Sequence, residues 1–190
     1  MNTIRAFIAV EIPLAIKEKL SLLISDLKKS NANVKWVGIE GLHFTLKFLG
    51  DIEKDKVGDI SKELKKISSS SSIFSVKFSK IGAFPNMNKP RVIWLGISQG
   101  ENNLISLNKK IELSMEELGF QKEGREYKAH LTLGRVRSFE NISQLAKIIN
   151  SLKIHIKGSV EINKIVLYQS TLTPKGAIYT PLSDHTLTIS

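Results

Sequence analysis

The chain has no cysteine among its 190 residues. A disulfide framework, a thiolate zinc site, an iron–sulfur cluster and a cysteine nucleophile are thereby excluded. Long apolar runs are missing as well. The opening MNTIRAFIAVEIP is interrupted by Arg5, Glu11 and Pro13 and is too short for a signal-peptide core. No later stretch approaches the ~18–20 consecutive apolar residues of a membrane-spanning helix, so a cytoplasmic protein with no membrane partner is expected. Acidic residues are in the minority, 18 Asp and Glu against 28 Lys and Arg, for a formal charge of +10. Such a field attracts polyanions, RNA first among them, although a lysine-rich surface also serves plain solubility.

What is present is a globular composition, 42% apolar and 24% charged. The length allows one domain with a sizeable core, or two small lobes sharing one. Ile4 to Val10 reads as a buried strand. Pro13 opens a helix, where proline is tolerated in the first turn, and Ile16, Leu20, Leu23 and Leu27 form its apolar stripe. Val34 to Val37 reads as a short strand and Gly41 as a turn. Asp51 stands where a helix cap is expected, ahead of a stripe of Val57, Ile60, Leu64 and Ile67. The serine run Ser68 to Ser72 reads as a flexible surface connection in preference to a phosphate contact. Ile73 to Phe78 and Arg91 to Ile97 read as a hairpin around a turn-rich Gly82 to Pro90.

A third stripe of Leu104, Leu107, Ile111, Met115 and Leu118 ends at a Gly119 stop. A fourth helix carries Ile142, Leu145, Ile149 and Leu152. Val160 to Tyr168 reads as one strand, and Gly176 to Ile189 as a further strand or irregular return. Helix, strand, helix, strand thus occurs twice without a sharp linker. The expectation is a single α+β domain over residues 1–190, bilobal and duplicated. Two small, mostly antiparallel sheets backed by helices would flank a central groove.

One short pattern is written twice, as LHFTLKFLG at Leu42–Gly50 and AHLTLGR at Ala129–Arg135. In an extended strand alternate side chains share a face. His43, Thr45 and Lys47 would lie on one face, with Leu42, Phe44, Leu46 and Phe48 on the other. His130 and Thr132 would likewise share a face, turned away from Ala129, Leu131 and Leu133. Each copy then shows an imidazole and a hydroxyl on one side and an apolar row on the other. Imidazole exchanges protons near neutral pH. Two of them across a phosphodiester can activate the attacking oxygen and protonate the departing one. Two threonine hydroxyls can hold the non-bridging oxygens as charge develops. This chemistry calls for no metal or cofactor, and no H-x-H, H-E-x-x-H or acidic cluster accompanies either histidine. His155 and His185 lack the pattern and read as surface residues. Lys47 is either a phosphate contact or a solvated lysine. Phe7, Phe84 and Tyr168 are candidates either for stacking on a base or for the core.

The tandem motifs resemble those of the 2H phosphoesterase superfamily. Arg5–Val10, Trp36–Gly50, Gly82–Ile97 and Tyr127–Val136 resemble its RNA 2′,3′-cyclic phosphodiesterases, also called 2′–5′ RNA ligases of the LigT/ThpR type. The resemblance implies metal-independent hydrolysis of an RNA 2′,3′-cyclic phosphate end to a 2′-phosphomonoester, tRNA fragments being one such substrate; a monomer is the default expectation. It implies His43 as proton donor to the leaving 3′ oxygen and His130 as proton acceptor from water. Thr45 and Thr132 would bind the phosphate, joined by Arg135 five residues after the second histidine. Strict alternation turns Arg135 away from His130 and Thr132, unless Gly134 permits a bulge or twist. Spacing does not separate acid from base. It also leaves open reversible 2′–5′ ligation, cleavage of other phosphodiesters, and a non-catalytic RNA-binding module.

Overall fold

Strand β1 (Thr3–Glu11) is central to the first sheet because both of its faces are apolar. Ile4, Ala6, Ile8 and Val10 point to one side, Phe7 and Ala9 to the other, and all are nearly free of solvent. The computed structural model describes residues 2–152, 159–174 and 176–189. After Pro13, at φ −56°, helix α1 (Leu14–Lys28) turns Leu20, Leu23, Ile24 and Leu27 inward. Strands β2 (Val34–Trp36) and β3 (His43–Glu53) follow, separated by a 3-10 turn at Ile39–Gly41. Helix α2 (Lys56–Ser69) buries Ile60, Leu64 and Ile67. A hairpin of β4 (Phe74–Phe84) and β5 (Val92–Gln99) leads to α3 (Glu101–Glu117). Gly119, at φ 83°, stops α3 as expected: its own amide bonds the Glu116 carbonyl and that of Phe120 the Met115 carbonyl. Then come β6 (Leu131–Val136), α4 (Ile142–Ser151), β7 (Val160–Ile162), β8 (Lys164–Thr173) and β9 (Gly176–Thr186). No helix among the described residues is long and apolar enough to cross a membrane.

The strands form two sheets, ordered β3-β1-β8-β9 and β2-β6-β5-β4-β7, and every ladder between them is antiparallel. The fold is α+β, with two antiparallel sheets and four α-helices among the described residues. The halves do not keep their strands to themselves, however. β2 and β4, from the first half, sit in the sheet of β5 and β6, whereas β8 and β9, from the second, complete the sheet of β1 and β3. One apolar cluster runs through both sheets, from Ile8, Phe44 and Leu46 to Ile93, Leu95 and Leu131. Each such side chain, fully buried, stabilises the fold by roughly 1.5–3 kcal/mol.

Several expectations are corrected. Asp51 caps nothing, because β3 continues through it opposite Arg5, and α2 begins after Asp55. Gly82 to Phe84 belong to β4, and the turn-rich loop shrinks to residues 85–90. Val160 to Tyr168 breaks at Asn163 into β7 and β8, which join different sheets. The serine run is no flexible connection. Ser68 and Ser69 donate to the Lys65 carbonyl and Ser70 to that of Ile67, closing the orphan end of α2. His185 is half-buried against α2, its Nε2 3.3 Å from Ser61 Oγ, rather than a surface residue. His155 lies outside the described residues.

Lys47 is the largest departure. Ala9 stands opposite Thr45 and Ile8 opposite Lys47, so Leu46 is an extra residue, a β-bulge. At Lys47 and Phe48 the faces of β3 are exchanged, until a second extra residue, Leu49, restores them. Lys47 turns into the interior, where its ammonium lies 2.6 Å from Glu112 Oε2 on α3 and 3.0 Å from the Gln121 carbonyl. The Leu46 carbonyl, left out of the ladder by the bulge, accepts a 2.8 Å bond from the Asn108 amide. Breaking a buried pair from one side strands the other charge at a cost of about 3–5 kcal/mol, while replacing both partners with apolar residues is often neutral. Lys47→Ala is therefore expected to lower the unfolding free energy by that amount, seen as a lower urea midpoint at constant slope, and Lys47→Met with Glu112→Leu to recover most of it. Equal losses in the single and double variants would contradict this.

Candidate active site

The two repeated motifs come together from different sheets. β3, at the edge of the first sheet, packs directly against β6 of the second. The Tyr127 hydroxyl, three residues ahead of His130, donates a 3.1 Å bond to the Thr45 carbonyl. His43 opens β3 and His130 immediately precedes β6.

His43 stands opposite Glu11, and Thr45 opposite Ala9, on the face of the first sheet that carries Phe7, Tyr168 and Tyr179. Its ring packs on Phe7, with centroids 4.8 Å apart, and meets Tyr179 edge-on at 5.2 Å. Its Nε2 lies 3.1 Å from Thr45 Oγ1. Burial pulls its pKa from the ordinary 6.5 down to about 4, against the Gly41 carbonyl, which favours the cation; the Lys17 charge adds to the lowering. His130 packs edge-on against Phe84 at 5.0 Å. Its Nδ1 donates a 2.6 Å bond to the Lys128 carbonyl, which leaves the lone pair on Nε2. Burial lowers its pKa too, the Lys128 carbonyl works against that, and the Arg135 guanidinium lowers it further. Both imidazoles are thus neutral near pH 7 while the groove is empty.

Arg135 faces the groove. Thr132 stands opposite Trp94 and Gly134 opposite Ile93, so Leu133 is a bulge, and Arg135 returns to the face of Thr132 and Trp94. Gly134 makes this possible by close approach: a Cβ there would meet Val34 Cγ1 at 2.6 Å and Trp36 Cε3 at 2.9 Å. The bulges at Leu46 and Leu133 fall on the same letter of the two motifs. The fifth residue after each histidine therefore returns to the groove face, Phe48 in one copy and Arg135 in the other. Phe48 is 62% exposed, its ring 6.0 Å from that of Phe7. Of the three aromatic candidates for stacking, Phe7 and Tyr168 are buried and only Phe84 retains exposure. An open cavity of about 360 Å³ beside His130 is lined by Phe84, Trp94, Glu126, Tyr127 and Lys128. Trp94 lies flat over Gly82, where a Cβ would strike the indole.

Sequence reading missed Tyr127, Phe48 and Lys17 at this groove. Tyr127 and Lys17 sit at inward positions of otherwise apolar patterns, and Phe48 is displaced from its counted face by the bulge.

The family model for LigT-like phosphoesterases matches the chain twice, over residues 10–94 and 95–179, with one motif in each match. The chain belongs to the LigT-like phosphoesterase family. Among members of this family, the RNA 2′,3′-cyclic phosphodiesterase of Methanocaldococcus jannaschii is 39% identical over 180 residues, covering 95% of this chain and 99% of that protein. The Aquifex aeolicus protein of the same name is 32% identical over 192 residues, with 97% of each chain covered. The crystal structure of Escherichia coli LigT in apo form shares the fold, with a TM-score of 0.79 over 99% of both chains at 24% identity. That of the Thermus thermophilus protein TT0787 does so with a TM-score of 0.79 at 23% identity, over 96% of this chain and 97% of that one.

The lowered histidine values have a thermodynamic counterpart. The unfolded chain takes up protons at His43 below its ordinary 6.5 while the folded chain does so only near 4. The contribution is intact above pH 6.5 and is lost as the pH falls toward 4, amounting to about 3 kcal/mol for His43. His43→Gln is expected to lose visibly less thermal stability than wild type between about pH 7 and pH 4.5. Parallel curves for the two proteins would rule the buried neutral imidazole out.

Proposed function

We propose that the chain is a metal-independent RNA 2′,3′-cyclic phosphodiesterase that opens a terminal cyclic phosphate to a 2′-phosphomonoester. One observation carries this reading: two His-x-Thr motifs lie on strands that touch, in a chain whose relatives bear that name over nearly their whole length. Water attacks phosphorus while His130 Nε2 takes its proton. The bond from phosphorus to the 3′ oxygen breaks, and His43 supplies the proton that oxygen needs. The Thr45 and Thr132 hydroxyls and the Arg135 guanidinium hold the non-bridging oxygens as charge builds on them. Acid, base and charge stabilisation are all supplied by side chains, so the scheme has no step for a metal or cofactor.

The division of labour between the histidines is the one the family resemblance implies, since each imidazole has a backbone carbonyl as partner, Lys128 for His130 and Gly41 for His43. His130, with Nδ1 committed to a carbonyl, offers a lone pair and suits the base. His43 is neutral in the empty groove and has to gain its proton as the phosphodiester arrives, when the added negative charge offsets the burial and the Lys17 charge that oppose protonation. Residues 1–190 work as one bilobal domain and as a cytoplasmic monomer. The substrates are RNA ends, tRNA fragments included, drawn by the +10 charge.

The direct test is an oligoribonucleotide bearing a 2′,3′-cyclic phosphate, incubated in excess EDTA with wild type, His43→Ala and His130→Ala. Wild type is expected to yield the 2′-phosphate, with kcat in each variant lower by about 10²–10⁴. No turnover by wild type would redirect the reading to 2′–5′ ligation, another phosphodiester or an RNA-binding module. Because kcat/KM reports groups of the free enzyme, its profile should be a bell centred on the acid side of pH 6.5. A maximum above neutral would be incompatible with two depressed imidazoles.

A further inference from the structure

A buried lysine beside the groove has no partner among the described residues. Lys17 lies three residues before Leu20 and seven before Ile24, on the stripe by which α1 faces the interior, and is 7% exposed. Neither a carboxylate nor any other described hydrogen-bond acceptor holds its ammonium. Lys47, 4% exposed, shows what such a group ordinarily requires, since Glu112 and the Gln121 carbonyl both hold it. A buried charge without a partner is costly. The wholly enclosed side-chain atoms without partners among the described residues are Trp94 Nε1 and Ser138 Oγ, and the Lys17 ammonium is not among them.

Its place in the fold puts the start of α1 beside the first motif. α1 begins three residues after Glu11, the residue opposite His43, and packs on the Ile39–Gly41 turn that leads into His43. The carboxylate at the end of β1 is already engaged: Glu11 Oε2 lies 2.8 Å from Lys164 Nζ. The field of Lys17 is felt at the His43 ring. On this side of the groove the first motif supplies a hydroxyl and an imidazole but, at its fifth position, a phenylalanine where the second motif has Arg135.

We propose that Lys17 is an anion-binding residue that completes the phosphate site on the His43 side of the groove, taking the charge-pairing part that Arg135 plays on the other. The proposal rests on the groove being a phosphate site. A stem that merely covers apolar surface while its head reaches water is the competing explanation, and it predicts no effect on ligands.

Lys17→Met keeps the unbranched stem and removes the charge. Titration calorimetry with inorganic phosphate and with adenosine 2′-monophosphate should show both ligands weakened roughly ten- to hundredfold, the scale of one charge-assisted bond. The melting temperature should be unchanged or raised, since an unpaired buried charge has gone. Lys17→Gln, which also lacks the charge, should weaken phosphate likewise and carries the test if the methionine variant fails to fold. Wild-type affinity for phosphate in either folded variant, or no phosphate binding by wild type, overturns the assignment. If wild type binds phosphate in a Lys17-dependent way yet leaves cyclic RNA ends intact, the proposed activity falls and the anion site stands.

Discussion

Two bulges, at Leu46 in one strand and at Leu133 in another, decide what the groove contains. Without the bulge at Leu46, alternation would hold Lys47 on the face of His43 and Phe48 among the apolar side chains behind the sheet. Without that at Leu133, Arg135 would point away from His130. A strand has a period of two, so a single inserted residue exchanges every side chain beyond it between the faces. The interior is built to suit. Asn108 satisfies the displaced Leu46 carbonyl, Glu112 meets the ammonium that the bulge sends inward, and Gly134 lets neighbouring side chains close over the second bulge. The same contacts tie the irregular segment before His130 to β3, through the Gln121 carbonyl and the Tyr127 hydroxyl.

The electrostatic state of the groove follows from where these strands place its groups. Two imidazoles are packed against aromatic rings, each within the field of a cation, Lys17 for one and Arg135 for the other. Water is scarce around them and positive charge is close, so both lose their protons in the empty site. An anion between them reverses the balance for the pair. Under the proposed mechanism, substrate capture and proton uptake are then one event, and a neutral molecule of the same shape gains nothing from it.

Much of this was legible in the sequence because period-2 and period-3.6 patterns are local. The helices, most of the strands, the Gly119 stop and the pairing of the two His-Thr motifs all follow from spacing. What spacing does not carry is the count across a bulge. Lys47 was assigned to the wrong face for that reason, and Arg135 could be placed only once the ladder partners of Thr132 and Gly134 were known. The Asn163 break had no strong turn signal, and its consequence, the parting of β7 and β8 between sheets, is a matter of tertiary pairing. Lys17 was hidden differently: one lysine at the end of an apolar stripe reads as the stripe's border, and only its burial without a partner marks it.

The traffic of strands between the sheets bears on how such a chain arose. Each half contributes strands to the other's sheet, so a half on its own would have neither a complete sheet nor a second histidine. Two copies of a half-length chain, related by a twofold axis and trading those strands, would supply both. The present chain has the connectivity of such a swapped dimer joined end to end. The two halves of this arrangement are not equivalent in the groove, and they part at the fifth position after each histidine, aromatic in one and cationic in the other.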